Sequence, residues 1–372
     1  MYYDHMKIGV IGTVWLNTPP SGYGGTEQVV YNIVEGLVKD GHDVTLFGPA
    51  TAQVTSHLVP TVEKPLREVY IPWENLIYPL SHLTTAFDMA KKFDVLHMHL
   101  NKSQDYIALP FALYRNVPTL FTLHFRVPDA TYNADRYMIL HKYRALPFSS
   151  ISQSQQRPDK LNYVANIYNS LNTADYPFNP SPDDYFVWLG KIIPIKGTKE
   201  AILAAKKAGV KLIVMGAVEE GVVEAEQYFE QEILPLIDNK QIFLRKNVKL
   251  SEKAKILGGA KALLNPITWD EPFGLVMIEA QATGTPVIAF ARGAAPEVIE
   301  DGKTGFLVHN IDEMVAKMKD VTSLNRQDCR DFVTNHFSNQ KMVTGYENAY
   351  KTVIKNWDTY AKSQWKIINE IP

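Results

Sequence analysis

The sequence predicts an α/β protein of two domains, each built on a parallel sheet. Short, nearly continuous apolar runs alternate with amphipathic helical stretches along most of the 372 residues, the pattern of strands buried on both faces and joined by crossover helices. The alternation breaks once, in the Pro-, Asn- and Asp-rich stretch "NTADYPFNPSPDDY" from 172 to 185, which marks a linker over 171–184. A composition of 46% hydrophobic and 21% charged residues suits two ordinary globular domains, each with its own core.

The first domain covers 1–170. Its first five residues are expected to lie outside the fold, because "KIGVIG" from Lys7 is the first buried strand. A loop with Gly22, Gly24 and Gly25 leads into "TEQVVYNIVEGLVKDG", where Val29, Val30, Ile33 and Leu37 recur at helical spacing, Thr26 is placed to cap the start and Gly41 to end it. "HDVTLFG" is the second strand, completing the strand, helix, strand unit of a parallel sheet. The runs "FDVLHMHL", "VPTLFTLHF", "PFSSISQS" and "YVANIYNS" extend it into a Rossmann-like domain.

The second domain covers 185–345. "YFVWLG" is followed by a helix near 197–208, "KLIVMG", a helix near 220–237, "QIFLRK", "AKALLNP", a helix near 275–283, "TPVIAF" and "TGFLV". The aromatic-rich tail, 346–372, is expected to be a packing helix that returns to the first domain. Two such sheets are expected to face each other across a cleft, with ligands held beyond the C-terminal ends of the strands.

Charge and composition exclude several functions. A net charge of −2 leaves no footprint for nucleic acid or for an acidic membrane surface. No run of about 18 apolar residues is present to span a membrane, and "MYYDHMKIGVIG" lacks the form of a signal peptide. A cytoplasmic protein is expected, with membrane contact at most peripheral. The single cysteine, Cys329, excludes an intramolecular disulfide and has no base beside it in sequence. His97 and His99 share one strand face, but no carboxylate cluster accompanies them, so no metal site is expected. A dinucleotide fingerprint is excluded because Glu27 occupies its third glycine position. A P-loop is excluded because Glu297 stands five residues before "GKT" at 302–304.

Two constellations carry chemistry. "YFVWLGKIIPIKGTKEAI" puts Lys191 just past a strand and Lys196 just before Gly197 and a helix, a natural clamp for a diphosphate. In "WDEPFGLVMIEAQATGTPVIAF", Pro272 biases Glu271 away from helical angles. The N–H groups of Gly274, Leu275 and Val276 are then first-turn donors suited to hydroxyls or a phosphate. Glu279 follows Glu271 by eight residues, in a helix where an unpaired carboxylate would be costly. The glycines at 24 and 25 open another helix N-terminus, again suited to an anion.

With "GYGGTE", "LGKIIPIKG", "EPFGLVMIEA" and "GTPVIAFARGAAPEVIEDGKTGFLV", the chain resembles the retaining glycosyltransferases of family 4 over nearly its whole length. The resemblance implies the two-domain GT-B fold and transfer of a hexose from a nucleotide sugar, UDP-glucose first, to a hydroxyl of a glycan, glycolipid or small molecule, without a metal or other cofactor. It implies that Glu271 contacts the donor sugar, with Phe273, Gly274, Leu275 and Val276 in the same turn, and that Glu279 contacts the ribose. Lys191, Lys196, Gly24 and Gly25 would hold the diphosphate. The family's Thr, any residue, His pattern is met by Thr122 and His124, which places His124 beside the reacting carbon. Three departures are Lys246, where the family often has glycine near the base, and Ser170 and Asn172 in "IYNSLN". A sugar phosphorylase or nucleotide-sugar epimerase on this fold, or a non-catalytic nucleotide-sugar binding protein, are the alternatives.

Overall fold

In the computed structural model, residues 5–22, 24–156, 160–219, 221–246 and 248–370 are described. Four of the five residues expected to precede the fold, and Tyr23 of the glycine loop, lie outside them. The chain divides into two units, Met1–Ser170 with Asn339–Pro372, and Leu171–Ser338.

The first unit holds strands β1 (Lys7–Ile11), β2 (Asp43–Pro49), β3 (His57–Val62), β4 (Val95–Leu100), β5 (Thr119–Leu123), β6 (Phe148–Ser150) and β7 (Tyr163–Asn166). They form one sheet in the order β3-β2-β1-β4-β5-β6-β7, and every pairing is parallel. β1 lies between β2 and β4, with Ile8 beside Val44 on one side and Val95 on the other. That is the strand-order reversal at which doubly wound sheets bind ligands. All of β4 is buried, which explains its unbroken apolar reading. β3 escaped the sequence reading because it is an edge strand with half-exposed residues and Pro60 in its middle.

The helix Gly25–Lys39 buries Val29, Val30, Ile33 and Leu37. Thr26 does not cap it, as the sequence suggested: Gly24 is the N-cap, without a side-chain bond. The carboxylate of buried Glu27 instead accepts from the Thr13 hydroxyl at 2.6 Å.

The C-terminal helix starts at Asn339, not 346, and runs to Glu370. It buries Met342, Val343, Tyr346, Tyr350, Val353 and Trp357 within the first unit. A side chain at Gly36 would meet Val343 at 2.3 Å, so that glycine lets two helices approach closely.

The second unit carries β8 (Phe186–Lys191), β9 (Leu212–Ala217), β10 (Ile242–Arg245), β11 (Leu263–Asn265), β12 (Val287–Phe290) and β13 (Gly305–Val308). Their order, β10-β9-β8-β11-β12-β13, is again parallel throughout and reverses at β8 and β11. Its core packs Phe186, Trp188, Leu212, Val214, Ile242, Leu264 and Ile288. The helix expected near 220–237 is Val223–Tyr228, continued by a π-turn at Phe229–Ile233 and a short 3-10 turn at Leu234–Leu236, which Pro235 limits.

The expected linker belongs to this unit. Asn179 donates its N–H to the Thr283 carbonyl at 3.0 Å. Arg330 donates to the carbonyls of Thr173 at 2.9 Å and Tyr176 at 2.6 Å, and Arg326 to that of Asn179 at 2.7 Å. Two guanidinium groups thus satisfy a stretch of backbone that has no sheet partner.

Candidate functional site

The richest site of the second unit grows from the ends of β8 and β11. After β8, a 3-10 turn at Pro194–Lys196 leads through Gly197 into the helix Thr198–Ala208. Gly197 has φ of 73°, and a Cβ there would stand 2.0 Å from the Pro266 carbonyl oxygen, so the turn admits only glycine. The Lys196 carbonyl accepts from the Trp188 indole at 3.2 Å. Its side chain is thereby aimed at the loop after β11, where Nζ lies 2.5 Å from Glu271 Oε2.

That same oxygen accepts from the Trp269 indole N–H at 2.8 Å, and the ammonium stands 5.2 Å from the Trp269 ring centre. The Glu271 backbone is gripped as well. Ala294 donates to its carbonyl at 2.9 Å, and a Cβ at Gly293 would come within 2.4 Å of its N and O. Trp269 and Gly293 support Glu271 and were passed over by sequence reasoning; their signal was a place two residues before Glu271 and a glycine in "ARGAAPEV".

Three residues on, Gly274 (φ 86°) is the N-cap of the helix Leu275–Ala282, whose first turn carries no acidic residue. Its Leu275 and Val276 amides are first-turn donors left for an anion or hydroxyls. Phe273 is 2% exposed and meets Phe337 edge-on at 5.7 Å. Its side chain is therefore part of the core, and only its backbone can serve a ligand.

Glu279, on that helix, is held at one oxygen. Oε1 accepts from the Tyr176 hydroxyl at 2.8 Å and from Lys253 Nζ at 2.7 Å. Burial, aided by this carboxylate, pushes the Tyr176 phenol far above its ordinary range, so it remains a donor. Lys191, at the end of β8, pairs with Glu219 at 3.0 Å. Lys246 stands 4.1 Å from the centre of the Phe229 ring. Lys191, Lys196 and Lys253 are thus each paired with a carboxylate of their own unit, whereas Lys246 rests on an aromatic ring.

In the first unit, Gly24 is glycine for a steric reason. Its backbone is extended (φ 169°), but a Cβ would lie 2.6 Å from Pro20. Past β5, the Nε2 of His124 meets Nδ1 of His99 at 2.8 Å. His97, next on the same face as His99, is locked in a chain of hydrogen bonds. Tyr350 donates to its Nδ1 at 2.7 Å, its Nε2 donates to Thr122 at 2.8 Å, and Thr122 donates to Tyr346 at 3.4 Å. Burial keeps all three imidazoles neutral: the His124 pKa falls to about 3, and those of His97 and His99 fall well below the ordinary value. His97 therefore ties the C-terminal helix to the sheet, and His99 backs His124. Cys329 is buried, with its thiol pushed up to about 12 by burial, and is chemically inert. Among the described residues no group of three or more His, Cys, Asp or Glu is placed to hold a metal ion, and no helix is long and apolar enough to cross a membrane.

Residues 175–338 match the family model of the glycosyl transferases group 1, and residues 23–173 match that of glycosyltransferase family 4. The chain belongs to the group 1 glycosyltransferases. Among relatives of this family, it is 30% identical over 200 residues to the capsular polysaccharide biosynthesis glycosyltransferase CapM of Staphylococcus aureus, covering 50% of each chain. It is 25% identical over 326 residues to the phosphatidyl-myo-inositol mannosyltransferase of Mycolicibacterium smegmatis, covering 82% of this chain and 81% of that one. The chain spans half the length of CapM, and 26% of an uncharacterized Klebsiella pneumoniae protein in a cps region, at 42% identity over 24% of its own length. Among solved structures, Anabaena HepE in complex with UDP and glucose superposes with a TM-score of 0.72 at 16% identity, covering 94% of this chain and 100% of that one. That likeness is one of fold, two Rossmann-like units of the GT-B type.

Proposed function

We propose that the chain is a retaining, metal-independent glycosyltransferase that moves a hexose from a nucleotide sugar to an acceptor hydroxyl. The observation that carries the reading is the meeting of Lys196 and Glu271 at 2.5 Å, beside the open N-terminus of the helix Leu275–Ala282. Breaking the bond between the anomeric carbon and phosphate builds positive charge on the sugar and negative charge on the diphosphate. Lys191, Lys196 and the helix amides stabilise the departing diphosphate. Glu271 engages the sugar hydroxyls and Glu279 the ribose. In the first unit, Gly24 and Gly25 offer first-turn amides to phosphate, and His124 faces the reacting sugar. The acceptor hydroxyl attacks from the face the diphosphate leaves, and a phosphate oxygen takes its proton, which retains the anomeric configuration and needs no protein base.

UDP-glucose is the first donor to test, since HepE, of the same fold, was solved with it; GDP-mannose and UDP-N-acetylglucosamine follow. The names of CapM and of the inositide mannosyltransferase support a glycan or glycolipid acceptor, met in the cytoplasm or at the inner membrane face. The deciding experiment is a calorimetric panel of UDP, GDP, ADP and their sugars, with EDTA present, on the wild type and Lys196→Ala. Binding of one nucleotide sugar that weakens in the variant supports the clamp. Binding that requires added metal, or none at all, overturns it.

A further inference from the structure

We infer that His99 is a positioning residue for His124: it occupies Nε2 of that imidazole, so that His124 meets the sugar only through Nδ1, in one fixed tautomer. This rests on the proposed place of His124 beside the reacting sugar. The register of the sheet builds the pair. β4 and β5 run side by side, with His99 beside Thr122 and Leu100 beside Leu123, and the His124 amide donates to the Leu100 carbonyl at 3.0 Å. The two rings therefore project from neighbouring strand ends. Their centres lie 5.1 Å apart with planes 29° from parallel, the separation of two rings joined edge to edge through one N–H···N bond of 2.8 Å.

One proton fits between these nitrogens, so one ring donates and the other accepts. A neutral imidazole has one N–H and one lone pair, so fixing the state of Nε2 in His124 fixes that of Nδ1. His99 decides which: a buried N–H without an acceptor is the rarer orphan, so this ring keeps its proton on Nδ1 and donates it to Nε2 of His124. His99 is fully buried, and its Nε2 has no hydrogen-bond partner among the described residues. Its ring lies 4.1 Å, centre to centre, from that of His97, which Tyr350 and Thr122 hold in place. An unpaired buried ring nitrogen costs stability, and the return for it is a ring whose only partner is His124. His124 is half-buried, and its Nδ1 has no partner among the described residues, so that atom is the one left for a ligand. Burial keeps both rings uncharged, so the tautomer holds at neutral pH.

The test combines ¹⁵N NMR of histidine-labelled protein with kinetics of His99→Phe and His99→Gln. In the wild type, His124 shows the nitrogen shifts of a single tautomer. In His99→Phe those shifts move to averaged values, and kcat falls roughly 10- to 100-fold, the cost typical of losing a group that orients a functional histidine, while the donor KM changes little. His99→Gln, whose amide can donate or accept, restores most of the loss. Averaged His124 shifts in the wild type, or shifts unchanged in His99→Phe, overturn the inference whatever the activity. If the shifts respond while kcat does not, positioning stands and the placement of His124 at the reacting sugar falls. The wild-type spectrum decides the first point even if a variant fails to fold.

Discussion

Lys196 Nζ lies 2.5 Å from Glu271 Oε2, joining a strand-end turn to the entrance of a helix 75 residues away in the chain. Both side chains are largely buried, at 17% and 15% exposure. The pair holds two loops together and, in the proposed function, keeps a cation ready for phosphate. Lys196→Ala is expected to fold with about 1–3 kcal/mol less stability, since Glu271 keeps the Trp269 bond but loses its counter-charge. Affinity for the nucleoside diphosphate should fall about 10- to 150-fold, the worth of a charge-assisted hydrogen bond. Calorimetry and thermal melts read the two effects separately, and near-normal binding would remove Lys196 from the clamp.

Gly293→Ala tests the support beneath Glu271. The new Cβ would sit 2.4 Å from backbone N and O of Glu271, at φ of 53°. A loss of about 2–4 kcal/mol is expected, seen as a Tm lower by roughly 5–15 °C. Gly22→Ala is the control: nothing lies within 4 Å of its Cβ position, so its Tm should stay near the wild-type value.

The two donors on Glu279 separate by charge. Tyr176→Phe removes a neutral donor and leaves the Lys253 ion pair, whereas Lys253→Met leaves a largely buried carboxylate with the phenol alone. Lys253→Met should be the more destabilising by about 1 kcal/mol or more. In the proposed function both variants weaken nucleotide affinity, and deoxyribose nucleotides should lose less than ribose ones. Equal losses for the two sugars would place Glu279 away from the ribose.

Acid should destabilise the protein below pH 6.5 through its buried histidines. His82, bonded to Thr61 and the Gly12 carbonyl, has its pKa lowered by burial to about 4, and His124 to about 3. Between those values and 6.5 the unfolded chain binds protons that the folded one refuses. The stabilisation is complete above pH 6.5 and is lost as pH falls, by about 1.4 kcal/mol per pH unit for each such histidine. Asp105 acts in the opposite sense, because burial raises its carboxyl to about 6 and the folded state binds its proton first. Melts from pH 7.5 to 4.5 should show a falling Tm, with a shallower slope in His82→Gln. A slope unchanged by that substitution would exclude His82 as a contributor.

Much of this molecule was legible because parallel strands covered on both faces must be apolar along their length. β1, β2, β4, β8 and β9 stand out for that reason, and the helices Gly25–Lys39 and Thr198–Ala208 for their periodicity. β3 did not, since an edge strand has little to bury. Glu271 and Lys196 were visible as residue types at turn positions, and the structure brings them together. Tyr176 and Lys253 carried no signal of their own, because a phenol or a lysine gains meaning only from the atom it faces. The direction of the Phe273 ring was hidden for the converse reason: its neighbours in sequence line the turn, while the ring points at Phe337.

By itself the sequence determined the alternation of strands and helices, the break near residue 170 and the family, since each is written in local pattern and short motifs. Tertiary structure decided the strand orders, the return of the helix Asn339–Glu370 to the first unit, and the pairings of Lys196 with Glu271 and His99 with His124. Those depend on which surfaces bury each other. The Tyr350–His97 bond joins residues 253 positions apart, and no local pattern records a contact that exists only once the sheet has closed over its helices.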